Sequence, residues 1–410
     1  LRLTPQIRRA CVAAAAWDWL SFVYRVYILC AVFFSLWAAP LFVNVGFAWV
    51  IKIINQMVSD GLPFVAVIVM VWVIGFLAFM LPMVPGLTVY LFGGLVLSAT
   101  CPQGFWAGAV VNILLSWVLK LFASAVQQKG IGGLLGRSAK IRQMVGVHKL
   151  AMRCIEAEMR KPGMSMGKVA ILCGGPDWPT SVMAGILDLS LAECMLGTLP
   201  IILFVVPCAL CGSFYLRKGQ SELWARLASF MVLISLVTWL ALWALVAWAV
   251  QTQLEQNRKA LSRKLPQNVD LEWLDHKAAE VKKSLNITWS SVPCIVRWLY
   301  GFGAAGHILV CQAYYWGYNY FFGSFEVSDD IDDIKVVVGA EGLITNLGLL
   351  ALAAYAACWL PYVMYSVWRH FRTRSPFELV SAQLDLQEAE WKMTLAALLR
   401  PLHPPATATS

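Results

Sequence analysis

Long apolar runs, separated by short charged stretches, make up most of the chain. Each run is close to the ~20 residues that a helix needs to cross a ~30 Å hydrocarbon core. The sequence therefore predicts an all-α polytopic membrane protein with about six transmembrane helices. The predicted spans are 64–81, 104–126, 191–216, 223–250, 293–322 and 338–368.

The first 60 residues show a different pattern. Residues 1–23 are basic with scattered apolar positions, which is typical of a helix lying in the membrane interface. The apolar stretch 24–53 is divided by Pro40 into two pieces, each too short to cross a bilayer. For residues 1–60 we therefore expect an interfacial helix followed by a hairpin that is broken at the proline.

Two further apolar stretches, 81–100 and 168–190, contain prolines and glycines. Each proline removes a backbone donor, clashes with the preceding turn and pushes the residue before it out of helical geometry. Broken backbone at membrane depth persists only where protein or a water-filled cavity satisfies it. We therefore predict two re-entrant helix-break-helix loops. The positions expected to shape them are Pro82, Pro85, Gly86 and Gly93 in the first loop and Pro176, Asp177, Pro179 and Gly185 in the second.

Loop charges predict the topology. The net charge is +9, and we expect the basic loops 127–167, 251–285 and 369–374 on the cytoplasmic side, opposite an acidic lumenal loop at 324–335. With this orientation the two re-entrant loops enter from opposite faces of the membrane. Opposed loops of this kind form the inverted repeat in which transporters build a site near the bilayer midplane.

Composition narrows the function classes. The chain is 60% hydrophobic and 13% charged, with a mean hydropathy of +0.68. Its positive charge is concentrated in loops beside spans, so we expect no nucleic-acid partner. Cys208 and Cys211 have the spacing of a redox motif but fall within a span, and the acidic loop lacks EF-hand spacing. The sequence has no nucleophile elbow and no P-loop. We therefore expect no metal, no cofactor and no enzymatic activity.

The two interrupted stretches carry a family resemblance. The sequence PMVPG at 82–86, followed by Gly93, resembles the first re-entrant loop of the DedA/VTT superfamily, also called SNARE-associated Golgi proteins. The sequence PDWP at 176–179, followed by Gly185, resembles the second. The resemblance covers roughly residues 60–220. It implies a lipid-handling membrane protein, because eukaryotic relatives scramble phospholipids in the endoplasmic reticulum and bacterial relatives move lipid carriers or couple to ions.

The chain departs from the bacterial members of that family at two places. They carry an acidic residue shortly after the first Pro-Gly, where this chain has only uncharged residues at 87–90. They also carry arginines around the second loop, where this chain offers Lys168 and then Gly174 and Gly175. These departures weigh against proton-coupled transport and leave passive lipid scrambling as the expectation.

Charged and polar residues inside apolar stretches are the candidates for a lipid path, because charges at membrane depth are costly. We weigh helix capping or turn chemistry as an alternative role for Asp177, an interfacial position for Asp188 and Glu193, and snorkelling to the interface for Lys120. With the loop residues above, the expected substrate path includes Asn112, Lys120, Lys168, Asp177, Asp188 and Glu193.

The rest of the chain is organised around this core, which we place at 61–250. We expect a cytoplasmic amphipathic helix within 251–290, a transmembrane helix pair at 291–370, and a cytoplasmic helix and tail at 371–410. Apolar residues within 251–290 recur at steps of three and four, which predicts an apolar stripe. That stripe and the C-terminal helix are the expected contacts for a homo-oligomer or a membrane-protein partner.

One expected function and two alternatives follow. The expectation is a lipid scramblase or lipid transporter that passes phospholipid headgroups through a crevice between the opposed loops, in an endomembrane such as the endoplasmic reticulum or Golgi. The first alternative is a structural or trafficking membrane protein that uses the core as a scaffold. The second is an ion-coupled transporter of small solutes.

Overall fold

A computed structural model shows a protein built almost entirely from α-helices. It describes residues 18–398 apart from residues 83, 264, 286, 324, 326–337, 340 and 341. The acidic positions of the expected lumenal loop, most of the expected interfacial helix and the end of the C-terminal tail lie outside the described residues. Within the described part no β-strand is present, only isolated bridges, which confirms the predicted all-α class.

The helices are numbered here in chain order. A π-helical stretch (Gln127–Gly132) and a short turn (Gly133–Leu135) continue the fourth helix, and a 3₁₀ turn (Leu199–Ile201) joins the ninth and tenth. The α-helices are α1 (Trp19–Ser59), α2 (Phe64–Met80), α3 (Gly86–Thr100), α4 (Phe105–Val126), α5 (Ala139–Val145), α6 (Leu150–Met159), α7 (Met166–Gly174), α8 (Asp177–Ile186), α9 (Leu191–Thr198), α10 (Ile202–Tyr215), α11 (Glu222–Leu261), α12 (Val269–Leu285), α13 (Cys294–Phe321) and α14 (Asn346–Leu398).

Six helical segments of the described chain are long and apolar enough to cross a bilayer, so the chain is an integral membrane protein. Five coincide with predicted spans. The sixth does not. The predicted span at 64–81 is the 17-residue helix α2, which is only about 26 Å long. The sixth segment long and apolar enough to cross is instead the second half of α1. The six segments are Leu41–Ser59, Phe105–Leu135, Leu191–Tyr215, Glu222–Leu261, Cys294–Phe321 and Asn346–Arg374.

The hairpin expected in residues 1–60 is wrong. The structure has one continuous helix, α1, which runs through Pro40. A proline inside a helix removes one hydrogen bond and favours a kink. A complete reversal of the chain would leave more backbone groups without partners, and in an apolar environment water does not replace those bonds. The continuous helix is therefore the less costly arrangement.

The C-terminal region is also more continuous than expected. The last predicted span and the charged helix after it form the single helix α14. Pairs of opposite charge one turn apart, Arg374 with Glu378 and Lys392 with Glu388, support its polar half. The end of α14 also contacts α12 through the Trp273 and Trp391 rings and a 2.5 Å Lys392–Asp270 ion pair. The two segments expected to bind a partner therefore partly bind each other.

The chain forms two compact units. Among the described residues, one lies within 18–42, 277–325 and 338–386, and its core is aromatic: the Tyr27 and Tyr300 rings stack 5.2 Å apart, and the Tyr300 and Tyr365 rings 4.4 Å apart. The described residues of the second lie within 43–276 and 387–398 and include helices α2 to α11. All of the sequence-predicted path residues belong to this second unit.

Glycines bring the helices of the second unit into close contact. Gly94 of α3 faces the backbone of Ala209 on α10, and Gly108 of α4 faces the backbone of Leu97 on α3. A Cβ atom at either glycine would overlap the opposing backbone, so only glycine permits these distances. Helix α3 is consequently held between α4 and α10, and this fixes the position of its N-terminus.

Candidate functional site

The first interrupted stretch contains a helix break at the predicted place. Helix α2 ends at Met80, and Leu81 and Pro85 both have extended backbone, with Pro85 at φ −67° and ψ 138°. Helix α3 then begins at Gly86. Its first backbone N–H groups have no partner within the helix and are free to bind an acceptor from elsewhere.

The second interrupted stretch contains a break that is shorter than expected. Helix α7 ends at Gly174, Gly175 and Pro176 are non-helical, and α8 begins at Asp177. Pro179 does not take part in the break, because it is the third residue of α8. A proline is tolerated in the first turn, where its missing N–H would have no helical partner in any case. The glycine and the first proline therefore make this break.

The two breaks meet at one side chain. Oδ2 of Asp177 accepts a hydrogen bond from the Gly86 N–H at 3.1 Å, so the first residue of α8 caps the first residue of α3. Oδ1 of the same carboxylate lies 2.6 Å from Nζ of Lys120 on α4. The Lys120 side chain is 1% exposed and that of Asp177 30%. The alternative that Lys120 snorkels to the interface is therefore wrong, because the ion pair keeps it buried.

Glycine at position 86 makes this contact possible. A Cβ atom there would overlap Oδ2 of Asp177 and lie 3.1 Å from the Phe79 ring. Lys120 approaches the same ring from its face, with Nζ 5.5 Å from the centroid. Backbone, carboxylate, ammonium and aromatic ring thus occupy one small volume where the two breaks meet.

Asn112 and Gly93, predicted separately as path residues, form a second contact along the same helices. The Asn112 amide donates to the Tyr90 carbonyl at 3.1 Å, and the Ser116 hydroxyl donates to the Asn112 side-chain oxygen at 3.2 Å. A Cβ at Gly93 would overlap that oxygen. Asn112 is fully buried and its amide is paired, so it fastens α3 to α4.

Helix α4 and its continuation present a line of buried polar residues. Their side chains are at most 4% exposed, although the helix lies within a candidate span. Asn112 and Lys120 were predicted from the sequence, and the other four were not. The signal that would have found most of them is the spacing of four, which places each residue about one turn beyond the last, next to it on the helix surface. These polar-stripe residues are Asn112, Ser116, Lys120, Ser124, Gln127 and Gln128.

Several polar atoms in this region are buried without a hydrogen-bond partner in the part of the chain that the structure describes. They are the Tyr90 hydroxyl, the Ser124 hydroxyl and the side-chain oxygen of Gln127. Tyr90 lies one turn after Gly86 on α3, and Ser124 lies one turn after Lys120 on α4. Buried polar groups are normally paired, so each such atom calls for an explanation.

Lys168 and Glu193 form a separate ion pair at 2.8 Å. Lys168 is fully buried and its ammonium also binds the Lys161 carbonyl, while the Glu193 carboxylate also accepts the Gly163 N–H at 3.0 Å. Each member therefore has a second partner. The pair ties the starts of α7 and α9 to the loop before α7.

A third charged group lies close to that pair in sequence. Glu158 accepts hydrogen bonds from Ser165 at 2.8 Å and Gln253 at 2.9 Å and pairs with Lys161 at 2.5 Å. Burial raises the pKa of the Glu158 carboxyl, but these donors outweigh burial and hold the pKa below its ordinary value. Glu158 therefore stays ionised and connects α6 to α11.

Three predicted path residues have not yet been placed, and none of them belongs to a buried ion pair. Gly185 faces the Gln128 carbonyl, which a Cβ atom would overlap, so its role is helix packing. Asp188 is exposed in the turn after α8, with a left-handed φ of 49°. Pro82 is exposed in the turn before Pro85.

No protein-family model, no curated protein and no solved structure matches this chain. The DedA/VTT resemblance therefore rests on the chain's own motifs. Within the described residues there is also no group of three or more His, Cys, Asp or Glu side chains placed to hold a metal ion. The Asp177–Lys120 pair, with the polar-stripe residues beside it, is the candidate functional site.

Proposed function

We propose that the protein is a lipid scramblase or lipid transporter of the DedA/VTT type, in which headgroups cross between the two helix breaks. The observation that carries this proposal is the meeting of both breaks at Asp177, where a buried lysine and the N-terminus of α3 bind one carboxylate. Broken helices that meet around a charged pair are typical of substrate sites in membrane transporters.

The polar stripe supplies the path that such a headgroup needs. From Asn112 to Gln128 it spans sixteen residue steps, or about 24 Å along the helix axis, most of a ~30 Å hydrocarbon core. A polar headgroup leaves water only where protein groups replace its hydrogen bonds. Within the described chain the Ser124 hydroxyl and the Gln127 side-chain oxygen of the stripe are unpaired, and the Lys120 ammonium is bound by the Asp177 carboxylate. A headgroup would bind to these groups while the acyl tails remained in lipid.

The proposal also specifies how the loops lie in the membrane, the partners and the location. In it, the breaks are the centres of two re-entrant loops that enter from opposite faces as an inverted repeat, and phospholipids are the partners. The membrane is an endomembrane, and passage is non-enzymatic. Glycosylation of the sequon at Asn286, which lies outside the described residues, would reverse the proposed orientation.

A second candidate has an observation of its own. A carboxylate paired with a buried lysine also suits an ion-coupled transporter of small solutes, since intramembrane charges often serve as coupling sites. That candidate requires uptake that depends on a proton or sodium gradient. Lipid scrambling requires neither a gradient nor ATP.

The test uses the purified chain in liposomes that carry a fluorescent phospholipid in both leaflets. A membrane-impermeant quencher, added without ATP or gradient, should bleach well over half of the fluorescence if the protein scrambles. Asp177→Asn should change the rate, and Asp188→Asn, in an exposed turn, is the matched control that should not. Protection of half the signal by the wild-type protein would refute scrambling, and gradient-driven solute uptake in the same vesicles would favour the second candidate.

A further inference from the structure

The environment of the Asp177 carboxylate is that of an anion site. One of its oxygens caps the first N–H of α3, a helix of 15 residues, and the other binds the Lys120 ammonium. A helix N-terminus carries a partial positive charge and presents unpaired N–H groups. Asp177 itself stands in the first turn of α8, a second helix N-terminus of 10 residues. The start of α3 and a lysine therefore bind one negative group, which itself belongs to the first residue of another helix.

The unpaired atoms nearby are an independent sign of a ligand. The Tyr90 hydroxyl is buried without a partner in the described chain, one turn along α3 from the capped N–H. The Tyr90 ring lies 5.8 Å from the Phe79 ring, whose face the Lys120 ammonium contacts at 5.5 Å. The Ser124 hydroxyl is likewise unpaired, one turn along α4 from Lys120. A carboxylate has two oxygens, and both are already bound here, whereas a phosphate has further oxygens that could accept from such hydroxyls.

We propose that this place is a binding site for a phosphate group, and that the Asp177 carboxylate occupies it as a tethered anion when no substrate is bound. The inference rests on the proposed function, because it names the part of the lipid that the site would take. The exposed fractions fit an exchange of one anion for another at this site. The Asp177 side chain is 30% exposed and can rotate away from the site, whereas the Lys120 side chain is 1% exposed and stays in place. The phosphate would enter as the carboxylate leaves, and Lys120 would keep a negative partner throughout.

A tethered competitor lowers the apparent affinity for the external anion. If the carboxylate fills the site in about 90–99% of molecules, an external phosphate binds about 10- to 100-fold more weakly than to the empty site. Removing the carboxylate charge should therefore strengthen phosphate binding. If the ion pair were purely structural, its loss would destabilise the fold and bring no gain in phosphate binding.

The experiment measures thermal unfolding of the purified chain in detergent against concentration of inorganic phosphate, with chloride at matched ionic strength. In Asp177→Asn the amide still accepts from the Gly86 N–H, but Lys120 is left buried and unpaired, which destabilises the protein. We expect phosphate to restore stability to this variant, with half-saturation at least tenfold lower than for the wild type. Asp177→Ser, with a shorter acceptor, serves as the second variant if Asn does not fold.

Two controls separate this site from general anion effects. The double variant Asp177→Asn with Lys120→Met removes both charges and should lose the phosphate response. Glu193→Gln removes a carboxylate from the Lys168 pair, whose lysine retains the Lys161 carbonyl, and should gain no response. Equal responses of wild type and Asp177→Asn, no response of either, or a response that survives in the double variant would each overturn the proposal.

A short-chain phosphatidylcholine, used in place of inorganic phosphate, identifies the source of the phosphate group. Stabilisation of Asp177→Asn by both probes supports a lipid headgroup site. Stabilisation by inorganic phosphate alone supports an anion site and overturns the assignment to a lipid. Because the readout is binding, it stays separate from transport: a phosphate response in a protein that fails the quencher assay would retain the site and reject scrambling.

Discussion

Two lysine–carboxylate pairs in the same unit share their chemistry and differ in their surroundings. In both, a lysine with almost no exposure contacts a carboxylate that is 30–40% exposed, at 2.6 Å for Lys120–Asp177 and 2.8 Å for Lys168–Glu193. Burial and distance alone do not distinguish them. A search for buried charges would have selected both as functional, as the sequence analysis did.

The neighbours distinguish the pairs. Both carboxylates have a backbone N–H as a second donor, from Gly86 for Asp177 and from Gly163 for Glu193. Only Lys168 also has a second acceptor, the Lys161 carbonyl, so that pair is a closed network. Lys120 has the carboxylate alone as its hydrogen-bonding partner in the described chain, and unpaired hydroxyls lie one turn away. A closed network stabilises one structure, whereas an incomplete one leaves room for a ligand or a second state.

The largest expected effect is steric. Gly86→Ala would push a methyl group into the Asp177 carboxylate and separate it from Lys120. Breaking a buried pair in this way should lower the free energy of unfolding by about 3 kcal/mol and abolish transport. Thermal or denaturant unfolding measures the first effect, and the quencher assay measures the second.

Gly46→Ala is the control for this variant. It lies in α1 with nothing within 4 Å of the added methyl, and it should be neutral or slightly stabilising. Equal behaviour of the two variants would mean that the Gly86 contact does not exist.

The second prediction compares the pairs directly by double-mutant cycles. Lys120→Met and Asp177→Asn, singly and together, should give a coupling free energy of about 2 kcal/mol, because each single change leaves a charge without its partner. The corresponding cycle with Lys168→Met and Glu193→Gln should give a clearly smaller value, since Lys168, unlike Lys120, keeps a backbone carbonyl as a second acceptor. Unfolding free energies of all variants supply the measurement. A larger coupling for Lys168–Glu193 would reverse the comparison drawn above.

The third prediction is a pH dependence of stability that originates at Glu158, a residue close to the closed network in sequence. Because the donors lower the pKa of Glu158, its folded pKa lies below the ordinary value of 4.5. Its contribution to stability is therefore complete above pH 4.5 and is lost as pH falls from there through the lowered pKa. Glu158→Gln should flatten this part of the melting temperature profile. Glu156→Gln on the same helix, where Glu156 pairs with Arg160 one turn away, should leave the profile unchanged.

The smallest expected effect concerns Pro179. Since it lies in the first turn of α8 and not in the break, Pro179→Ala should cost no more than about 0.4–1 kcal/mol, mainly through the greater freedom of the unfolded chain. Scrambling should persist at close to the wild-type rate. A large loss of transport would show that the second proline shapes the break after all, as the sequence analysis assumed.

These results show which features the sequence could predict. The proline and glycine signals gave both helix breaks, because their cause is local: a missing donor and a restricted φ act within one turn. The continuity of α1 through Pro40 was not predicted, since it depends on the cost of the alternative in an apolar environment. Proline alone therefore marks a candidate break, and the surroundings decide the outcome.

The site itself was predicted as a set of residues but not as a contact. Asp177 and Lys120 are 57 positions apart, and Gly86 is 91 positions from Asp177, so nothing local pairs them. The polar stripe could have been predicted, because Asn112, Ser116, Lys120 and Ser124 recur at steps of four in an apolar helix. What the sequence could not show is which of these atoms find partners.

The π-helical stretch Gln127–Gly132 has a consequence for how the chain tolerates length changes. Its wider turns let two adjacent side chains reach different helix ends: Gln127 donates to the Phe79 carbonyl at 2.7 Å and Gln128 to the Leu189 carbonyl at 2.9 Å. A π turn amounts to one residue inserted in an α-helix. Deleting one residue there would convert the wide turn into an ordinary α turn, so the helix beyond it would keep its register while Gln127 and Gln128 could no longer both reach their carbonyls. A one-residue deletion in this segment should therefore leave Gly132 packed against the Val182 backbone and remove one of the two glutamine contacts.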